Sequence, residues 1–329
     1  MRLRFGLLGA GRIGKVHAKA VAANPDARLA AVADPAEGAA SDIAERYGCE
    51  MRTLEAIEAA TDIDAVVICT PTDTHAELIE RFARAGKHIF CEKPIDLQIS
   101  RVEECLRVVE ETGVKLMVGF NRRFDPHFMA VKQAIDDGAV GDVEMITITS
   151  RDPGPPPGDY IARSGGIFKD MTIHDFDMAR FLLAEEPAAV AAAGSVLVDK
   201  EIGKLGDFDS VSVILTTGGG RECVISNPRR ATYGYDQRIE VHGSGGMVAA
   251  ENQRPVSIEV ANSRGFTRPP LHDFFMTRYL DAYANEIAAF IAAVKTGRTP
   301  IPGGRDGLAA LRLAEAALEA AHSGRTVKI

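Results

Sequence analysis

Along the first 120 residues, short runs of β-branched and aliphatic residues alternate with longer stretches whose apolar positions recur at helical spacing. Strands are predicted at Leu3–Leu8, Arg28–Ala33, Ala65–Cys69, His88–Cys91 and Lys115–Val118. Between them, Thr74–Ala85 and Ser100–Glu111 read as amphipathic crossover helices, the second opened by a Ser100/Glu103 capping box. Alternation of this kind builds βαβ units, so the expectation is an α/β fold with an N-terminal, doubly wound parallel sheet.

Beyond a helix predicted around His127–Asp137 the pattern changes. Val143–Thr149, Ala189–Val198, Val211–Thr216, Glu222–Ser226 and Gln237–His242 are strand-like and separated by glycine-rich turns at Gly218–Gly220 and Gly243–Gly246. These predict a C-terminal α+β domain with an open, mostly antiparallel sheet. Helices are predicted near Met171–Leu183, Tyr279–Val294 and Asp306–Ala321, the last able to pack back on the first domain. The domain boundary is placed near residue 120, giving domains 1–120 and 121–329. One low-complexity patch, Pro153–Gly158, is a proline-rich loop at the inferred cleft.

At 329 residues, 46% of them hydrophobic, the chain is long enough for two domains with a sizeable core. No apolar run approaches the roughly 18–20 residues of a membrane helix, so neither a signal peptide nor an anchor is expected. The five cysteines, Cys49, Cys69, Cys91, Cys105 and Cys223, are odd in number and widely spread, which fits a reducing cytoplasm. A net charge of -8 without a Lys/Arg block argues against nucleic acid, and no Cys/His set has zinc-ligand spacing, so no metal is expected.

Candidate chemistry begins at Gly9-Ala10-Gly11-Arg12-Ile13-Gly14, which follows a predicted strand and opens a helix. Its glycines let the backbone turn and approach a pyrophosphate at the helix N-terminus. Asp34 ends the next strand, where a carboxylate accepts from the adenosine ribose hydroxyls and repels a 2′-phosphate; the cofactor is therefore read as NAD rather than NADP. Three more groupings follow predicted strands: Thr70-Pro71 with Thr74 and His75, Glu92-Lys93-Pro94, and Asn121-Arg122-Arg123. Each has a plain alternative: Thr74 as a helix cap, Glu92 and Lys93 as a solvated loop pair, Arg122 and Arg123 as surface charges. Their recurrence at strand carboxyl ends favours a site. In Gly165–Asp177, Asp170 and His174 lie four apart, so on a helix the carboxylate can orient the imidazole, with Asp177 one turn further along.

Together, the glycine fingerprint, Thr70-Pro71 with His75, Glu92-Lys93-Pro94 and the Asp170/His174 helix resemble the glucose–fructose oxidoreductase and inositol dehydrogenase family, over essentially the whole chain and in the right order. Gly119–Asp125, Thr172–Asp177, Tyr233–Gln237 and Tyr279–Glu286 are most similar to the inositol 2-dehydrogenases of that family. The resemblance implies an NAD-binding domain over 1–120 and a substrate-binding and oligomerisation domain over 121–329, whose sheet commonly makes a tetramer interface. It implies catalytic roles for Lys93, Asp170 and His174, and cofactor contacts from Gly9, Gly11, Arg12, Ile13, Gly14, Asp34, Thr70, Pro71, His75, Glu92 and Lys93. Arg122, Asp152 and Tyr235, with Asp170 and His174, are the implied substrate contacts.

The implied reaction is oxidation of an inositol ring hydroxyl, with hydride passing to NAD and the hydroxyl proton to His174, assisted by Lys93; whether His174 or Lys93 takes the proton stays open. The same polar set suits a pyranose, so an aldose dehydrogenase is one alternative. A non-catalytic nucleotide sensor is the other, and retention of both Lys93 and His174 speaks against it.

Overall fold

Apart from the short, exposed edge strand at Glu50–Met51, the strands of the first unit are largely buried, as a parallel sheet covered by helices on both faces requires. The computed structural model describes residues 2–329 and divides them into two units. One is the chain up to Phe124 together with Leu280–Leu311; the other is Asp125–Tyr279 with Arg312–Ile329.

Up to Phe124 the elements are β1 (Leu3–Leu8), α1 (Arg12–Ala23), β2 (Ala27–Ala33), α2 (Glu37–Tyr47), β3 (Glu50–Met51), α3 (Leu54–Ala59), β4 (Ala65–Ile68), α4 (His75–Arg84), β5 (His88–Cys91), α5 (Ile99–Thr112) and β6 (Leu116–Val118). There follow α6 (Pro126–Asp136), β7 (Val143–Arg151), α7 (Gly158–Ser164), α8 (Ile173–Leu183), β8 (Pro187–Ser195), α9 (Lys200–Lys204), β9 (Ser210–Thr217), β10 (Glu222–Pro228), β11 (Asp236–Gly243), β12 (Gly246–Ala250), β13 (Val260–Asn262), β14 (Gly265–Thr267), α10 (Phe275–Arg278), α11 (Leu280–Thr296), α12 (Gly304–Ser323) and β15 (Val327–Lys328).

In the first unit the strand order is β3-β2-β1-β4-β5-β6, all parallel. The chain runs outward from β1 to β3 and then crosses to β4 on the other side of β1. That reversal opens a crevice at the carboxyl ends of β1 and β4, where a doubly wound sheet binds its ligand. The core joins Phe5, Leu7, Val32, Val67, Phe90 and Met117 of the sheet to Val21 of α1 and to Ile287, Phe290 and Ile291 of α11. Phe290 lies 6.1 Å from Phe5 and 6.0 Å from Phe90, ring centre to ring centre. A division at residue 120 leaves α11 outside the first domain, whereas its apolar face completes this core. The unit boundary falls inside α12, between Leu311 and Arg312.

The second unit carries a seven-stranded sheet in the order β12-β11-β7-β10-β9-β8-β15. Its pairs are antiparallel except β7 with β10, which is the mostly antiparallel sheet predicted. Residues along β9 and β11 alternate between buried and exposed, so one face packs inward and the other does not.

Two local expectations are corrected. α5 begins at Ile99 after Gln98 with no side-chain cap, so Ser100 lies inside the first turn and Ser100/Glu103 do not form the capping box. The strand predicted to reach Val198 stops at Ser195, because the amides of Leu197, Val198 and Asp199 turn onto the buried carboxylate of Asp209. By contrast α6 has a side-chain cap: Asp125 accepts from the amides of His127 and Phe128.

Candidate active site

Steric packing explains the glycines of the loop between β1 and α1. Gly9 has φ +96°, and a Cβ there would stand 2.6 Å from the carbonyl oxygen of Cys69. A Cβ on Gly14 would stand 2.1 Å from the carbonyl oxygen of Gly9, so the helix can lie against the turn only without a side chain. Gly11, by contrast, has no atom within 4 Å of such a Cβ and is the N-cap of α1. Its lack of a side chain leaves open the approach to the first amides of the helix, which no side chain caps and which suit a pyrophosphate. Arg12 at the first helical position is exposed, and Ile13 packs on the core.

Asp34 follows β2 and is fixed by two backbone amides, Ala10 N to Oδ2 at 2.6 Å and Ala36 N to Oδ1 at 2.7 Å. The carboxylate is thereby joined to the glycine loop, and each oxygen keeps a lone pair for a ribose hydroxyl. These residues fit NAD. Replacing Asp34 with alanine is expected to weaken NAD by about tenfold to hundredfold, the scale of hydrogen bonds to a charged group, and to remove the preference over NADP. Titration of both nucleotides by calorimetry checks this; unchanged preference would remove the role.

The loops after β4 and β5 are tied to each other through His75. Its Nδ1 is 2.8 Å from the carbonyl oxygen of Pro94 and its Nε2 is 2.8 Å from that of Thr70. The ring is buried, and burial pushes the imidazole below its usual range despite both carbonyls. One ring N–H donates to one of these carbonyls and the other nitrogen faces the second, so His75 ties together the loops that Thr70 and Lys93 stand on. Thr70 Oγ1 pairs with Thr74 Oγ1 at 2.7 Å, and Thr74 in turn donates to the carbonyl of Pro71. Pro71 is exposed beside this turn.

Glu92 does not form a solvated pair with Lys93; its carboxylate is buried: Oε1 lies 2.6 Å from His17 Nε2 and Oε2 accepts from the Lys93 amide at 3.3 Å. Lys93 itself is half-buried. Arg122 and Arg123, after β6, are both buried and are not surface charges; Arg123 pairs with Asp306 at 3.0 Å.

In the second unit, Asp152 follows β7, its amide donating to the carbonyl of Pro228 at 3.3 Å. Asp170 lies in a π turn, Phe168–Thr172, that runs into α8, so this segment is wider than the α-helix assumed from the spacing. Its Oδ1 accepts from Tyr160 Oη at 2.8 Å, and its Oδ2 lies 3.5 Å from Nη2 of Arg229. Arg229 is almost fully buried and also stands 3.9 Å from Asp207, whose carboxyl burial pushes up. His174 occupies the first turn of α8, with Nδ1 buried. The Tyr235 ring is buried edge-on against Phe274 and Tyr279.

Sequence reasoning missed Tyr160, Arg229, His17 and Glu286. The last two carried a signal: each is a polar residue at an apolar helical phase, His17 between Gly14 and Val21, Glu286 between Ala282 and Phe290.

An uncapped helix N-terminus behind a glycine turn at a strand reversal, with a carboxylate fixed beside it, is the frame of a dinucleotide-binding domain. Residues 3–120 match the model of the oxidoreductase family with an NAD-binding Rossmann fold, and residues 128–249 match the GFO/IDH/MocA C-terminal domain. The chain belongs to the GFO/IDH/MocA family. It is 72% identical to an inositol 2-dehydrogenase of Rhizobium meliloti over the full length of both chains. A myo-inositol dehydrogenase from Corynebacterium glutamicum superposes with TM-score 0.96 at 45% identity, covering 100% of this chain and 99% of that one. A scyllo-inositol dehydrogenase from Lactobacillus casei, solved with NAD(H) and scyllo-inositol, superposes with TM-score 0.93 at 29% identity, with 100% and 99% covered. Among the described residues no helix is long and apolar enough to cross a membrane.

Proposed function

We propose that this protein is an NAD-dependent inositol 2-dehydrogenase, which oxidises one ring hydroxyl of myo-inositol to the 2-ketone. The observation that carries this reading is the 72% identity, end to end, with an inositol 2-dehydrogenase. Lys93, Asp170 and His174 are all present to do the chemistry.

NAD, when bound, supplies the hydride acceptor. Gly9, Gly11 and Gly14 admit its pyrophosphate, and Asp34 its adenosine ribose. His174 takes the hydroxyl proton as general base, assisted by Lys93. Asp170, held by Tyr160 and Arg229, supplies the negative charge that favours the protonated imidazole. Lys93 contributes a positive charge or donor at the oxygen as its proton leaves. We assign recognition of the remaining ring hydroxyls to Arg122, Asp152 and Tyr235, because an unmatched polar group in a closed pocket is costly.

We further propose a cytoplasmic homotetramer. The one-sided burial of the seven-stranded sheet supports it: Met145, Ile214 and Met247 are exposed. The five unpaired thiols support a reducing compartment.

Initial rates of NADH formation at about pH 9, where proton release favours oxidation, test the reaction across myo-, scyllo- and D-chiro-inositol, glucose, xylose and galactose, with NADP in parallel. Preference for myo-inositol with NAD is expected. Preference for an aldose would overturn the substrate, and no turnover despite NAD binding would overturn the enzyme reading.

A further inference from the structure

Behind the Lys93 loop, three titratable side chains from separate elements meet inside the first unit: His17 of α1, Glu92 after β5 and Glu286 of α11. One ligand atom from each lies within 4.8 Å of the others, and all three residues are buried. His17 Nε2 is 2.6 Å from Glu92 Oε1 and 4.0 Å from Glu286 Oε1. Neither oxygen of Glu286 and not Nδ1 of His17 has a hydrogen-bond partner among the described residues.

A divalent cation is a poor fit. Two ligands each about 2.1 Å from a tetrahedral ion stand about 3.4 Å apart, whereas the His17–Glu92 separation of 2.6 Å is that of a hydrogen bond. The surroundings favour a proton. The rings of Phe90 and Tyr283, the latter itself a titratable phenol, pack on His17 at 5.0 and 5.5 Å; nearby stand Lys93, the imidazole of His75 and the buried thiols of Cys69 and Cys91, both pushed well up by burial. Two carboxylates in such a place are not both ionised.

We propose that His17 holds Glu92 as a single buried anion beside a neutral, proton-holding Glu286, and that Glu92 in turn positions Lys93 for the reaction. Burial, and then the charge of Glu92, push the Glu286 carboxyl well above the usual carboxylate range, in agreement. The path to Lys93 is short. Glu92 Oε2 accepts from the Lys93 amide, while His75 holds the carbonyl of Pro94 on the other side, so the lysine backbone is fixed at both ends. A Cβ on Gly119 would stand 3.2 Å from the Glu92 carboxyl, which marks how closely the loop packs on it.

This inference rests on the catalytic reading of Lys93, and its test separates the two. Infrared spectra of the purified protein at neutral pH should contain the C=O stretch of a protonated carboxylic acid, lost in Glu286→Gln. Absence of that band, or its persistence in Glu286→Gln, would overturn the proposal whatever Lys93 does. His17→Leu, which leaves Glu92 without its donor, should lower kcat by about tenfold to hundredfold through misplacement of Lys93, with KM and NAD affinity near the parent values. His17→Gln, whose amide can donate to Glu92, should recover most of that loss. Equal losses in both variants, or none in His17→Leu, would also overturn it. If His17→Leu does not fold, Glu92→Gln takes its place, and an unchanged kcat there counts against the proposal. Lys93→Ala assayed alongside isolates the other failure: full turnover there removes Lys93 from the reaction and leaves the Glu286 band to stand by itself.

Discussion

Alanine at Lys93 or at His174 is expected to lower kcat by about 10²–10⁴-fold, the usual contribution of a positioned acid–base group, with NAD bound as in the parent. Lys93 follows β5 in the first unit; His174 opens α8 in the second. Neither belongs to the steric frame of the glycine loop or to the amide pair that fixes Asp34, so cofactor affinity should be separable from turnover. Calorimetric NAD titration beside steady-state rates with myo-inositol checks it. Turnover retained in both variants would remove the assignment, and NAD affinity lost in Lys93→Ala would make the lysine chiefly a cofactor ligand. A pH profile of Lys93→Ala that keeps the parent's acid limb would support His174 as the group that takes the proton, and loss of that limb would move the role to Lys93.

The second large effect separates glycines that look equivalent in sequence. Gly14→Ala sets a methyl 2.1 Å from a backbone oxygen, which no rotamer change relieves. The cost should reach about 3 kcal/mol or more, at the upper end for overpacking. For a unit of this size that lowers Tm by roughly 6–12 °C, and NAD binding should fail with the turn. Gly11→Ala meets nothing in the free protein, so stability should change by only about 1 kcal/mol, the penalty of a poorer N-cap. Its methyl stands in the approach to the helix amides, so NAD affinity should fall by about tenfold or more, the scale of one charge-assisted hydrogen bond. Calorimetric Tm with NAD titration reads both. Equal Tm losses would show that both glycines serve packing alone.

Much of the first unit was legible because its signals are local. Leu3–Leu8 and His88–Cys91 form strands over the predicted residues, since an apolar run between a glycine turn and a polar helix face has one stable use. The glycine fingerprint and Asp34 are legible for the same reason: turn, helix start and strand end are set by neighbours in the chain. Legibility fails where direction matters. Glu92 and His75 turn inward because a partner of each lies on another element: His17 on α1 for Glu92, and the Pro94 carbonyl after β5 for His75.

What the sequence by itself determined, then, is the order of the elements, the βαβ pattern, the glycine turn with its acid, and the residue types available for proton transfer. Only the tertiary structure decided that α11 completes the core of the first unit, that β7 pairs parallel to β10, and that Glu286 meets Glu92 and His17. It also decided that Tyr160 and Arg229 hold Asp170. The physical reason is the same in each case. Periodicity states that a face is buried, but the partner of that face is chosen by packing among elements far apart in the chain.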